Sequence, residues 1–159
     1  MDHKNNNKEA SLFPSLEPRP NLIPNQNLRP ADVMLPGFND QGRSLCVDVT
    51  IVGVVSLIHP TTMQSVADKK NSLYLDLCRQ HHLDFTPFVM DSYGFFHSSA
   101  SNLLNRIIPL WAAVKNMPIP RASARIYQRL SFALKAGLAL QFSNRLPDHQ
   151  DVPNSVIRL

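Results

Sequence analysis

The run "LCVDVTIV", Leu45 to Val52, constrains this chain more than any other stretch. It holds no glycine or proline, and its apolar residues occupy both alternating sets of positions: Leu45, Val47, Val49 and Ile51 on one, Cys46 and Val52 on the other. That pattern predicts a central β-strand covered on both sides, and covering layers of helix make the chain an α/β protein. Asp48 breaks the run. An ionised carboxylate in such a strand is costly unless a partner or a metal ion compensates it. Asp32, which follows Pro30 and Ala31 at the head of a shorter apolar run, poses the same question.

The flanking sequence organises itself around that strand. Residues 1–28, with Pro14, Pro18, Pro20 and Pro24 beside an Asn-rich start, read as a disordered lead-in, because proline at this density enters neither a helix interior nor a central strand. Ala31–Leu35 is a short strand, and "PGFNDQGRS" supplies the turn chemistry of a hairpin to Leu45–Val52. After the loop "GVVSLIHP", Thr61 or Thr62 is a plausible N-cap for a helix running to about His82. Its apolar positions Met63, Val66, Ala67, Leu73, Tyr74, Leu77 and Cys78 recur at spacings of three and four. Phe85–Met90 is a further strand, with Pro87 marking an edge or a bulge. Helices follow from about His97 to Lys115, with Pro109 as a kink or break, and from about Ala122 to Phe142. The domain reading is therefore a lead-in at 1–28, a core at 29–116, a basic helix at 117–146 and a flexible tail at 147–159.

Charge is distributed unevenly. Residues 1–91 carry eight Lys/Arg against ten Asp/Glu, whereas residues 92–159 carry eight against two, and Ser92 to Pro147 contains no acidic residue. A basic half of this kind favours a polyanion such as nucleic acid, against the alternative of a solvated basic helical surface. No apolar run approaches the ~20 residues that span a bilayer, so no membrane partner is expected. Cys46 and Cys78 stand apart among apolar residues without a CxxC pattern, which points to a reduced, intracellular protein.

Lys70 answers the two carboxylates. It falls three and four residues after Ala67 and Val66, and three and four before Leu73 and Tyr74, so helical geometry places it within the apolar stripe facing the sheet. Lys69 lies about 100° away and reaches solvent. Asp32 and Asp48 from neighbouring strands and Lys70 from the helix above them form a self-consistent cluster. Two carboxylates can hold Mg²⁺ (or Mn²⁺) against a phosphate, and a lysine can orient water or offset developing charge. That is the logic of metal-assisted phosphodiester hydrolysis.

The segments "RPADV", "VDVTIV", "ADKKNSLY" and "FTPFVMDSYG", in that order, resemble the restriction-like endonuclease domain of non-LTR retrotransposons, within the PD-(D/E)xK nuclease superfamily. "YQRLSFALKAGLALQF" resembles the basic trailing part of reverse-transcriptase-type polyproteins. The resemblance spans about Arg29 to Phe142. It implies a restriction-endonuclease-like core, a small central sheet flanked by helices, with additional C-terminal helices. It also implies Asp32 and Asp48 as the acidic catalytic and metal positions and Lys70 as the catalytic lysine, shifted from the strand to the helix, since position 50 is Thr50. DNA, or another nucleic acid, would be the substrate, and nuclear residence would follow from it. The same resemblance implies a helix and a strand ahead of Asp32, and Ala31 separates the proline from the aspartate. Such a chain is an active nuclease, or a truncated or degenerate copy acting as a non-catalytic nucleic-acid-binding or interaction remnant.

Further residues carry weaker signals. Arg121, Arg125 and Arg129, at i, i+4 and i+8, form a one-sided stripe able to follow a phosphate backbone. Ser92 and His97 are candidate phosphate contacts, while "SYG" also reads as a plain turn. Asp32 could instead cap a strand or turn, Asp48 could be satisfied by backbone or hydroxyl donors such as Thr50, and Lys70 could carry its ammonium to the helix edge. His81–His82 reads as a solvated helix end. Phe95, Phe96 and Trp111 read as core rather than as base-stacking surfaces.

Overall fold

A computed structural model describes residues 15–16, 31–53 and 62–144. Most of the lead-in at 1–28, the loop residues 54–61 with Thr61, and the tail lie outside the described residues. The elements run β1 (Ser15–Leu16), β2 (Val33–Leu35), β3 (Leu45–Val52), α1 (Thr62–Gln80), β4 (Asp84–Asp91), α2 (Ser98–Val114) and α3 (Ile119–Ser143). The chain is α/β. Its mixed sheet of β2, β3 and β4 is extended at one edge by the two residues of β1, in the order β1-β2-β3-β4. A paired strand at Ser15–Leu16 thus stands inside the stretch the prolines had marked as disordered.

β2 and β3 pair antiparallel, Val33 opposite Val47 and Leu35 opposite Leu45. Their connection is held by Asn39, whose Oδ1 accepts from Gln41 N at 3.0 Å and Arg43 N at 2.7 Å. Gly42, at φ +72°, takes a backbone angle that a side chain would resist. The hairpin is tied to the start of β4 through Asp84, which receives Asn39 Nδ2 at 2.6 Å and Arg43 at 3.0 Å. β3 and β4 pair in parallel, so α1 serves as the crossover helix that a parallel pair requires. As Pro87 suggested, β4 is an edge strand. Pro87 lacks the N–H that an inner strand would use, and its carbonyl accepts from Ser99 Oγ at 2.6 Å.

α1 lies over the face of the sheet that carries the even-numbered residues of β3. Two apolar clusters form there. Cys46, Phe85 and Cys78 gather with Ala31 and Leu83, flanked by Tyr74 and Leu75. Val52 and Val89 meet Ala67, flanked by Met63 and Val66. Leu73 departs from the expected stripe and is exposed, because it lies about 120° round the helix from Ala67. The opposite face of β3 corrects the reading of a strand covered on both sides. Leu45 and Val47 are buried, but Val49 and Ile51 are 41% and 45% exposed.

The helix ends are cleanly terminated. At the end of α1, His82 takes φ +56° while His82 N donates to Arg79 O and Leu83 N to Cys78 O, a Schellman arrangement with His82 where glycine is usual. Asn116, at φ +46°, repeats it after α2, with Asn116 N to Ala113 O and Met117 N to Ala112 O. α2 continues unbroken through Pro109. α3 begins at Ile119, earlier than the apolar periodicity indicated, because Pro120 in its first turn needs no N–H partner there. Two compact units result, residues 1–107 and 108–159. No helix among the described residues is long and apolar enough to cross a membrane.

Candidate active site

Asp48 follows Cys46 by two residues and precedes Val52 by four, so strand alternation turns it toward α1, between the two apolar clusters. Its side chain is only 9% exposed. α1 brings Lys70 to the same place, since Lys70 lies between Ala67 of one cluster and Tyr74 beside the other. Lys70 Nζ stands 2.8 Å from Asp48 Oδ2 and 5.7 Å from the centre of the Tyr74 ring. Thr50 Oγ1 donates to the same oxygen at a long 3.4 Å. The ion pair is short, with a buried carboxylate and a half-buried lysine.

Asp32 stands immediately before β2. The β2–β3 ladder ends at Val33, and Asp32 N donates to Val47 O at 2.9 Å. One position on, the Asp32 carboxylate replaces the missing strand, with Oδ2 accepting from Val49 N at 2.7 Å. Asp32 is exposed. The hydrogen bond from Lys70 to Asp48 holds the ammonium above the usual lysine range; burial opposes this, and the charges of Asp48, Tyr74 and Asp32 reinforce it. At neutral pH Lys70 is therefore a cation that donates protons in hydrogen bonds, and it has no lone pair to act as a general base.

The two carboxylates suit a Mg²⁺ ion in number, since such an ion takes one or two protein carboxylates and completes its shell with water and phosphate. Each aspartate has one oxygen engaged, Asp32 Oδ2 by an amide and Asp48 Oδ2 by Lys70. The second oxygen of each has no such bond among the described residues. No group of three His, Cys, Asp or Glu side chains gathers around a common point among the described residues.

The other expected contacts fall elsewhere. Ser92 N donates to Val52 O at 3.0 Å, while Ser92 Oγ is enclosed and lacks a partner among the described residues. His97 joins the N-terminal part of α1 to the turn before α2. Gln64 Nε2 donates to Asp68 Oδ1, leaving Gln64 Oε1 to accept from His97 Nε2 at 2.9 Å. His97 Nδ1 then accepts from Ser99 N at 3.2 Å. Both ring nitrogens are engaged within the protein. Arg121, Arg125 and Arg129 all lie exposed on α3, and Arg129 also sits 5.9 Å over the ring of Trp111. His81 and His82 are an exposed helix end.

Two features had weak sequence signals. Asp91, 2% exposed at the end of β4, accepts with Oδ1 from Tyr93 N, Gly94 N and Phe95 N at 2.9, 2.8 and 2.9 Å. "DSYG" announces an aspartate turn but not that its carboxylate is buried. Phe95 corrects the reading of a core side chain: it is 69% exposed, whereas Phe96 turns inward and meets Phe88 edge-on at 5.7 Å. Comparison with known protein families, with curated proteins and with solved structures finds no match.

Proposed function

We propose that this chain carries a metal-dependent phosphodiesterase site of the restriction-endonuclease-like kind, acting on DNA and derived from a non-LTR retrotransposon. One observation carries the reading. Lys70 is bonded to the buried Asp48 at 2.8 Å, and the charge of Asp32 adds, more weakly than that of Asp48, to the hold of Lys70 on its proton. The order of parts from Asp32 onward supports the reading: Asp32 heads β2, β2 pairs with the strand of Asp48, a helix bearing the lysine crosses over, and a parallel strand leads into "DSYG". The helix that the resemblance implies ahead of Asp32 lies outside the described residues.

In this reading Asp32 and Asp48 would hold Mg²⁺ or Mn²⁺, which when bound polarises a phosphoryl oxygen and lowers the pKa of water. Asp48 would position Lys70, and the Lys70 ammonium would stabilise negative charge as it grows on the phosphate. Asp32, being exposed, would form the solvent side of the centre. The test is nicking of supercoiled plasmid by the purified chain with Mg²⁺ or Mn²⁺. Activity should vanish in Asp48→Ala and Lys70→Ala. Nicking that persists in both variants, or none by the parent chain, defeats the catalytic assignment.

A second reading, nucleic-acid binding without catalysis, draws on α3. Arg121, Arg125 and Arg129 are exposed on a helix with no acidic residue to pair them. Replacing the three together should weaken DNA binding and flatten its salt dependence by about one unit of log-log slope per lost phosphate contact. Binding that does not respond to salt would end this reading.

A further inference from the structure

The C-terminal half of α3 is apolar on more sides than its packing uses. From Phe132 to Phe142 it reads "FALKAGLALQF", with Lys135 as the one charged residue, yet in that stretch only Leu134 is buried and Leu138 half-buried. Phe132 and Leu140 are 65% and 62% exposed. A helix apolar on all sides is ordinarily covered on all sides. The bare residues share a face. At about 100° per residue, Arg129, Phe132, Ala133, Ala139, Leu140 and Ser143 all lie within about 60° of Ala136, and each of them is exposed, as is Ala136. Arg129, Phe132, Ala136, Ala139 and Ser143 follow one another at alternating steps of three and four, the spacing of a seam along which two helices pack.

The order of residues along the seam and its charge indicate the occupant. The seam is self-complementary about Ala136. Run against a second copy in the opposite direction, with Ala136 on the two-fold axis, it sets Phe132 against Leu140, Ala133 against Ala139 and Arg129 against Ser143. Alanines at the centre let the two helix axes approach closely, and the larger side chains close the seam on either side of them. Arg129 then meets the end of a helix whose last turn carries no basic residue, where the terminal carbonyls concentrate negative charge. Run in the same direction, the seam would instead set Arg125 and Arg129, both on this line, against their own copies. Charge therefore selects the antiparallel arrangement.

We propose that this face of α3 is a docking surface for a second copy of the chain, packed antiparallel about Ala136. The seam is a single helix face, in the small class of interfaces below ~1,200 Å² of total buried surface, so the dimer is reversible and of micromolar affinity or weaker. It does not depend on the nuclease reading. Sedimentation equilibrium of the full chain across the micromolar range should fit monomer and dimer alone. Ala136→Glu sets two carboxylates face to face on the axis and should weaken dimerisation by about 100-fold or more. Phe132→Ala removes a ring from each end of the seam and should weaken it by about tenfold or more. Phe142→Ala, as exposed as Phe132 but about 120° round the helix from Ala136, should behave as the parent. All three variants should unfold at the parent's temperature, because the positions are exposed. With oxidised glutathione, Ala136→Cys should link two copies across the axis, whereas Ala139→Cys, which meets Ala133 of the other copy, should not. Cys46 and Cys78 are buried, so the parent serves as the blank.

A parent chain that stays monomeric across that range overturns the proposal. So do Ala136→Glu and Phe132→Ala variants that dimerise within twofold of the parent, or assemblies that grow beyond the dimer. Faster linking at position 139 than at 136 would be the mark of parallel packing and would overturn the antiparallel seam. Capture of the parent by vesicles of neutral and anionic phospholipid, lost in Ala136→Glu, would assign the face to a membrane and equally overturn it.

Discussion

Replacing Lys70 by methionine isolates the pair on which the site depends. The unit charges of Lys70 and Asp48 are 2.8 Å apart. At an effective dielectric of about 20 their gross attraction is about 6 kcal/mol. Much of this is offset by desolvating two ions, so the intact pair adds little net stability, while a lone buried charge is strongly unfavourable. Side-chain exposures of 27% for Lys70 and 9% for Asp48 leave the carboxylate the drier partner. Lys70→Met should therefore cost about 3 kcal/mol, the low end of the range for breaking a buried pair. Lys70→Met/Asp48→Leu should recover most of that loss, because methionine and leucine fill the same space without charge. Urea unfolding followed by circular dichroism gives the three free energies. The pH dependence has a definite sign. Lys70 has a higher affinity for its proton in the folded chain than the ordinary lysine value of about 10.4, so its contribution is complete below that pH and is lost as pH rises through the folded value. The gap between parent and Lys70→Met should be constant from neutral pH to about 10 and close only above it. A single-variant loss below about 0.5 kcal/mol, the size expected of an exposed pair, would refute the reasoning.

Asp91→Ala removes an acceptor shared by three amides and should cost about 3 kcal/mol, while Asp91→Asn keeps one carbonyl oxygen and should cost less; thermal unfolding separates them. His82→Gly should stabilise the chain by about 0.5 kcal/mol, since His82 holds a positive φ where glycine is unstrained, and a fall in the urea midpoint would contradict this. Cys46 and Cys78 are buried, and Cys78 is held far above the usual thiol range by its hydrogen bond to Cys46 and by burial. Both should resist iodoacetamide in the native chain and react once it unfolds; fast native labelling would show that β3 and α1 do not pack as described.

What the sequence made legible was periodic or local. The α1 stripe placed Lys70 toward the sheet, and the alternation of β3 placed Asp48 toward the helix, because both follow from backbone geometry alone. Turn residues located the hairpin, and Pro87 located the sheet edge. The sequence did not reveal where β2 stops. Its ladder ends at Val33, and a side chain then stands in for backbone, with Asp32 accepting from Val49 N. Nor could it separate Phe95 from Phe96, adjacent phenylalanines with opposite fates. Their directions depend on how Asp91 gathers the following amides, a three-dimensional event with no period. β1 was hidden by its surroundings, because the proline density around it outweighs a two-residue pairing.

The position of the charged pair bears on what it is for. Above and below it along the same face, the chain packs ordinary apolar side chains: Cys46 with Cys78 and Phe85, and Val52 with Ala67 and Val89. A leucine and a methionine at 48 and 70 would join those clusters into one continuous core at no electrostatic cost. The charges instead divide the core, and they do so where the β2–β3 ladder has ended and the exposed Asp32 carboxylate takes the amide of Val49. Local rules broken at one spot, within elements that otherwise obey them, are what the proposed catalytic reading expects there. On the proposed reading, a divalent cation held by Asp32 and Asp48 would offset the net negative charge of these three groups and let a phosphate approach beside Lys70.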